Sequence, residues 1–184
     1  MNKVLLGIVA VIVLCIITVF STYNSMVNMN ENVTGKWSQV ENQLQRRNDL
    51  IPNLVSTVKG YAAHEADIFK NVSDARAKMA GAQTVAQKSE ANGELSGALS
   101  RLLAIAEAYP QLKADANFRQ LQDELAGTEN RIAVARKDYN EAVQLYNAKI
   151  KTFPTLLFAG MFGFQARDYF KVEESAKAVP KVQF

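Results

Sequence analysis

VLLGIVAVIVLCIITVF, residues 4–20, is the stretch that orders the rest: 17 residues without a charge, preceded by Lys3 and followed by none until Glu31. At 1.5 Å rise per residue a helix of this length spans roughly 25 Å, and Ser21, Thr22 and Tyr23 extend it to about 30 Å, the thickness of a bilayer's hydrocarbon core. Lipid offers no water to backbone N–H and C=O groups, so a segment crossing it pairs them internally as a helix. The pattern predicts a transmembrane anchor over residues 1–23.

The anchor reads as retained. A cleaved secretory signal ends in a small-residue site of the A-x-A kind, which Phe20-Ser21-Thr22-Tyr23-Asn24 does not offer. Cys15 lies between Leu14 and Ile16, without the small residue that precedes a lipidated cysteine. Lys3 is the only charge ahead of the span, and Lys36 stands at the edge of the window in which positive charge sets orientation. This balance puts the amino terminus in the cytoplasm and the body of the chain outside. Cys15 is also the only cysteine, so no disulfide can form within one chain.

Beyond the anchor, about 160 residues suffice for one domain with its own core. The full chain of 184 residues carries 21 Lys and Arg against 18 Asp and Glu, a formal net charge of +3. Their signs are interspersed and Arg46-Arg47 is the longest basic cluster. A nucleic-acid surface shows a one-sign stripe, so none is expected.

Apolar positions then recur at helical spacing. Val33, Trp37, Val40 and Leu44 step by four and three, predicting a helix over about 24–48 that Pro52 interrupts or kinks, with Asp49 placed to cap a restart. Ile51, Leu54, Val58, Tyr61, Glu65, Ile68, Val72, Ala75 and Met79 alternate threes and fours, a seam predicting one helix over 50–82. Residues 84–93 read as a polar connection. Leu95, Leu99, Leu102, Ala106 and Tyr109 mark a third helix over 94–109, stopped by Pro110. Phe118, Leu121, Leu125, Thr128, Ile132, Ala135, Tyr139, Ala142 and Tyr146 mark a fourth over 117–151. The fold class is therefore all-α: one transmembrane helix, then an antiparallel bundle of long helices over residues 24–152.

Residues 153–184 break the pattern. FPTLLFAGMFGF (153–164) is uncharged and aromatic but too short to cross a bilayer. Two readings stand: a tail folded over the bundle end, or an apolar patch of Phe153, Leu156, Leu157, Phe158, Met161, Phe162 and Phe164 docking on another subunit or on the membrane surface.

Chemistry finds little to work with. His64 is the only histidine, and Ile68 stands where a zinc-protease helix needs the second. There is no calcium loop, no G-x-S-x-G elbow and no glycine-rich phosphate loop. No cofactor or metal is expected. Glu65, a carboxylate in a seam, needs a partner; Arg76, Arg131 or Arg136 would fix helix register, the alternative being a proton- or ligand-responsive group. Thr128 is expected to bond its own helix backbone.

QLQRRNDLIPNLVSTVKGYAAHE (43–65), ELSGALSRLLAIAEAYPQLKA (94–114) and LAGTENRIAVARKDYNEAVQLYN (125–147) closely resemble the LemA family of bacterial membrane proteins. So do the YN at 23–24, the FP at 153–154 and the closing GF…YF…VPKVQF. The resemblance covers nearly the whole chain and implies one amino-terminal transmembrane helix followed by long antiparallel helices. It supplies no catalytic or cofactor residue to carry over.

The two densest charged-apolar blocks are the expected interaction surfaces: Arg46, Arg47, Asp49 and Asn53 in one, Glu129, Asn130, Arg131, Arg136, Tyr139 and Asn140 in the other. The leading expectation is a non-catalytic scaffold, single-pass in the bacterial inner membrane, whose partners are lipid and further copies of itself. The alternatives are an adaptor for another envelope protein or transporter, and an enzyme with a carboxylate site involving Glu65 or Asp49.

Overall fold

The computed structural model describes residues 3–62 and 64–171. Among the described residues there are helices and no strand: α1 Lys3–Lys59, α2 Ala66–Gly81, α3 Val85–Ala108, α4 Pro110–Ala114, α5 Ala116–Lys151 and α6 Thr155–Phe158. The chain divides into two compact units, to both of which α1 and α5 contribute. One takes the residues up to Ser38 with Asp138–Asp168; the other takes Gln39–Lys137 with the chain from Tyr169.

The second unit is a four-helix bundle whose directions can be read from its pairs. Glu41 of α1 meets Lys88 of α3 and Arg47 meets Asn92 and Ser96, so the numbers rise together and these helices run parallel. Against α2 the order reverses, Asn48 facing Arg76 and Lys59 facing Phe69. It reverses against α5 too, Gln43 facing Arg131 and Tyr61 facing Asp115. This is the up-down-up-down topology that short connections favour. Ile51, Leu54, Val58, Phe69, Val72, Met79, Leu95, Leu102, Phe118, Leu125 and Ile132 fill the core. Each such side chain contributes roughly 1.5–3 kcal/mol through burial.

Three boundaries differ from the spacing. Pro52 does not end a helix: α1 continues through it to Lys59, and Asp49 is mid-helix, accepting from Gln45 Nε2 at 2.9 Å instead of capping. A proline inside a helix leaves the carbonyl four residues back without its donor. That carbonyl, on Asn48, accepts from Arg76 Nε at 3.3 Å.

The seam over 51–79 belongs to two helices, not one. Ile51, Leu54 and Val58 are buried on α1, and Val72, Ala75 and Met79 on α2, while the chain turns between Gly60 and Glu65. Tyr61, inside that turn, is exposed, and Phe69 takes the core position in place of Ile68.

The expected connection at 84–93 is instead the first part of α3. Thr84 accepts from Gln87 N at 3.1 Å and Gln87 Oε1 accepts from Thr84 N at 3.1 Å, a complete capping box. Asp115 starts α5 in a similar way, its Oδ1 accepting from Phe118 N at 2.9 Å.

The first unit pairs the amino-terminal part of α1 with the carboxy-terminal part of α5. Lys36 Nζ lies 3.1 Å from Asp138 Oδ2, and the rings of Trp37 and Tyr139 are 5.1 Å apart. Met26, Val33, Tyr139, Val143, Tyr146 and Ile150 are buried there. Residues 3–18 of α1 are exposed throughout, and the helix carries a stretch long and apolar enough to cross a membrane. After α6, Phe164 N donates to Ala159 O at 2.9 Å, a turn requiring a left-handed residue; Gly163, at φ 77°, supplies it. The returning chain is then clamped: Asn147 Nδ2 donates to Arg167 O at 2.8 Å, and Arg167 N donates back to Asn147 Oδ1 at 2.9 Å. The closing VPKVQF motif lies outside the described residues.

Candidate functional site

The most constrained polar side chains form a layer across the bundle. Arg47 on α1 is buried; its Nη1 donates to Asn92 Oδ1 at 3.1 Å and to Ser96 Oγ at 3.0 Å on α3. The same nitrogen lies 2.6 Å from Glu129 Oε2 on α5. With its protons turned to α3, this last contact is a charge contact more than an aligned hydrogen bond. Arg76 adds α2 through the Asn48 carbonyl, so all four helices meet in this layer. Burial holds the Arg47 guanidinium below its ordinary pKa, and the Glu129 charge pulls the other way. Asn92 and Ser96 are residues that composition and motif reading pass over: nothing local marks them, because their partner lies 45 residues away or more.

Arg136 stands nearby on α5. Its guanidinium carbon lies 4.7 Å from the centre of the Phe170 ring, a cation–π contact. Burial lowers its pKa, opposed by the charge of Glu129. Glu129 therefore serves two arginines. Arginine–carboxylate pairing across the bundle exists, but at Glu129 and not at Glu65. Glu65 precedes α2, half-buried, and accepts from Tyr109 Oη at 3.5 Å; none of Arg76, Arg131 or Arg136 pairs with it. The turn at 60–65 removes it from the seam, which is why the expected pair is absent. Thr128 is fully buried, donating to Glu124 O at 2.7 Å and accepting from Arg131 Nη2 at 3.1 Å.

Two adjoining grooves flank the α1–α5 contact of the same unit. One, of about 590 Å³, is lined by Arg46, Arg119, Gln120, Asp123, Glu124 and Arg131 among others. The other, of about 520 Å³, shares Gln120 and Glu124 and adds Leu50, Asn53 and Asn117. Arg46 pairs with Glu124 at 3.2 Å, and Arg131 Nε donates to Gln43 Oε1 at 3.3 Å.

The ten expected interaction residues thus separate. Arg47 and Glu129 tie helices together, and Arg136 stacks on the Phe170 ring; Arg46, Arg131 and Asn53 line the grooves; Asp49 and Asn130 are exposed on their helices. Tyr139 and Asn140 fall in the other unit, where Tyr139 is buried and donates to Asp168 O at 2.7 Å, and Asn140 is half-buried. Desolvation pushes the Tyr139 hydroxyl up to about 12. Of the apolar tail, Phe153, Leu156, Leu157, Met161 and Phe162 are exposed, while Phe158 and Phe164 are half-buried. Among the described residues no group of three or more His, Cys, Asp or Glu side chains could hold a metal ion.

A chain built this way is an all-helical protein with a membrane-length apolar stretch in its first helix and a buried Arg47 that joins α1 to α3 and α5. It belongs to the LemA family, which it matches over residues 36–184. Among its relatives are the magnetosome proteins MamQ 1 and MamQ 2 of Paramagnetospirillum magneticum, each 31% identical over 186 residues, covering 87% of this chain and 68% of theirs. Magnetosome protein MamQ of Magnetospirillum gryphiswaldense is 30% identical over 181 residues, covering 84% of this chain and 66% of its own.

Proposed function

We propose that this protein is a non-catalytic helical scaffold that self-assembles at the bacterial envelope. Residues 1–23 hold it in the inner membrane as a single pass, with the helical body on the extracytoplasmic side. The observation that carries this reading is the polar layer. Arg47, Asn92, Ser96 and Glu129 are turned to one another across the bundle, which supports a role in specifying one helix register. Anchoring supports assembly, because confinement to a surface raises effective concentration and lets weak contacts suffice. The relatives carry the names of magnetosome proteins rather than of enzymes, which supports the same reading.

Native mass measurement after extraction in mild detergent tests it. Multiples of the 20.3 kDa protomer are expected, and a lone protomer would overturn self-assembly. Protease added to intact spheroplasts should cut the helical body but not the amino terminus.

One observation favours a second reading, an adaptor for another envelope protein. The adjoining grooves present Arg46, Arg119 and Arg131 beside Asp123 and Glu124, a mixed-charge surface suited to a partner helix. A photo-crosslinking residue at Arg119 would then yield one defined heterologous adduct, whereas self-assembly through this face yields adducts of two copies of the chain.

A further inference from the structure

We infer that the aromatic segment Phe153–Phe162 is a second lipid contact, seated in the interfacial layer beside the point where α1 leaves the bilayer. The inference rests on the anchor reading of α1 and concerns only the unit formed with residues 138–168.

Three observations converge. First, the segment packs on the end of the span. The Tyr23 ring lies 5.1 Å from that of Phe162 and 5.8 Å from that of Phe164. Second, what the segment turns outward is almost wholly apolar: Phe153 is 79% exposed, Met161 73%, Leu157 62% and Leu156 59%. Its inward positions are Thr155 and Ala159. This alternation is the reverse of a tail folded to cap a core, which would bury its large side chains and expose the small ones.

Third, the charges stand at the right heights. Lys36 and Asp138 pair on antiparallel helices, and Tyr23 and Lys151 each lie thirteen residues from that pair, toward the span. At 1.5 Å per residue both are roughly 20 Å away from it, so Lys151 ends α5 level with Tyr23. Lys149 and Lys151 occupy this last turn. The next charge held against α1 is Arg167, whose Nη2 donates to Asn30 Oδ1 at 2.8 Å, about 10 Å farther from the span. A layer of aromatic and aliphatic side chains with lysines at its rim matches the boundary between acyl chains and headgroups, where aromatic rings settle and lysines reach outward to phosphate. A second copy of the chain would also cover apolar surface, but the height of the patch at the end of the span favours lipid.

Spin labels on the full chain, reconstituted in phosphatidylethanolamine–phosphatidylglycerol vesicles, test this. The native Cys15 reports the span; Leu157→Cys, Met161→Cys and the exposed control Gln144→Cys are each made in a Cys15→Ser background. Collisions with dissolved oxygen should exceed those with an aqueous nickel chelate at 157 and 161, as at Cys15, and fall below them at 144. Collisions at 157 and 161 matching the control, with Cys15 still in lipid, would overturn the inference and leave the anchor standing. Labels shielded from both reagents, with dipolar broadening lost on dilution by unlabelled chain, would assign the patch to a second copy and also overturn it. Water access at Cys15 itself would remove the anchor and this inference together.

Discussion

Arg76 Nε on α2 donates to the backbone carbonyl of Asn48 on α1, 3.3 Å away, four residues before the proline that leaves this oxygen without its helical donor. The pairing explains how a 57-residue helix runs through Pro52. A mid-helix proline costs about 3 kcal/mol, part of it the orphaned carbonyl. A guanidinium supplied from the neighbouring helix offsets that part and ties α2 to α1 at a defined height.

The relationship predicts a coupling. Pro52→Ala restores an N–H to Asn48 and should stabilise the bundle by about 1–3 kcal/mol. Arg76→Met should destabilise the parent chain more than it destabilises the Pro52→Ala variant, because the carbonyl then has its own donor. A double-mutant cycle from denaturation in detergent should return a coupling of about 0.5–1.5 kcal/mol. Additive effects would mean that Arg76 acts on α1 by packing alone.

The polar layer predicts an asymmetry. Glu129→Gln leaves the buried Arg47 charge without its counter-charge. The full loss of a buried pair member is about 3–5 kcal/mol. The Glu129 side chain is 45% exposed, which screens the interaction, so about 2 kcal/mol is expected. Replacing Arg47 by Met together with Glu129 by Leu should cost less than either single change, since no uncompensated charge remains. The double variant should also populate more than one helix register, visible as broadened amide resonances.

The extent to which residues announce these features differs along the chain. The seam of α5 was legible but for Leu121: Phe118, Leu125, Thr128, Ile132, Ala135, Tyr139, Ala142 and Tyr146 are buried and Leu121 is half-buried, because an uninterrupted helix keeps its three-four phase along its length. The seam over 51–79 misleads for a physical reason. Its two halves face the same core from antiparallel helices, and Tyr61, Glu65 and Ile68, which carry the three-four count from one half to the other, are not core residues. Pro52 misleads because the group that satisfies Asn48 comes from another helix, which spacing does not register. Thr84 and Gln87 did carry a local signal, the T-x-x-Q of a capping box, that places the start of α3 nine residues before the expected Glu94. The anchor's apolarity was plain. The polar layer was legible only in part, since Arg47 and Glu129 stood out while Asn92 and Ser96 acquire meaning only in three dimensions.

That capping box gives a clean local test. Thr84→Ala removes the acceptor for Gln87 N and should cost about 1 kcal/mol. Thr84→Ser should restore most of it. Amide hydrogen exchange should quicken over the first turn of α3, near Ala86 and Gln87, with little change around Leu102.

Asp115 is one source of acid sensitivity in the bundle. Its carboxylate accepts from Phe118 N at 2.9 Å and from Tyr61 Oη at 2.9 Å, and these bonds hold its pKa below the ordinary 3.8. Folding thus favours the ionised form. The stabilisation is present above the unfolded pKa and is lost as pH falls through the folded one, so the effect is confined to the acid limb below about pH 4. The same hydrogen bond pushes the Tyr61 hydroxyl up, and there the sign reverses: its share is present below the ordinary 10 and is lost at higher pH. Asp115→Asn should therefore lower the melting temperature at neutral pH, with the difference from the parent narrowing toward pH 3, and should return the Tyr61 ionisation toward its ordinary range. A melting difference independent of pH would mean that Asp115 contributes as a neutral cap alone.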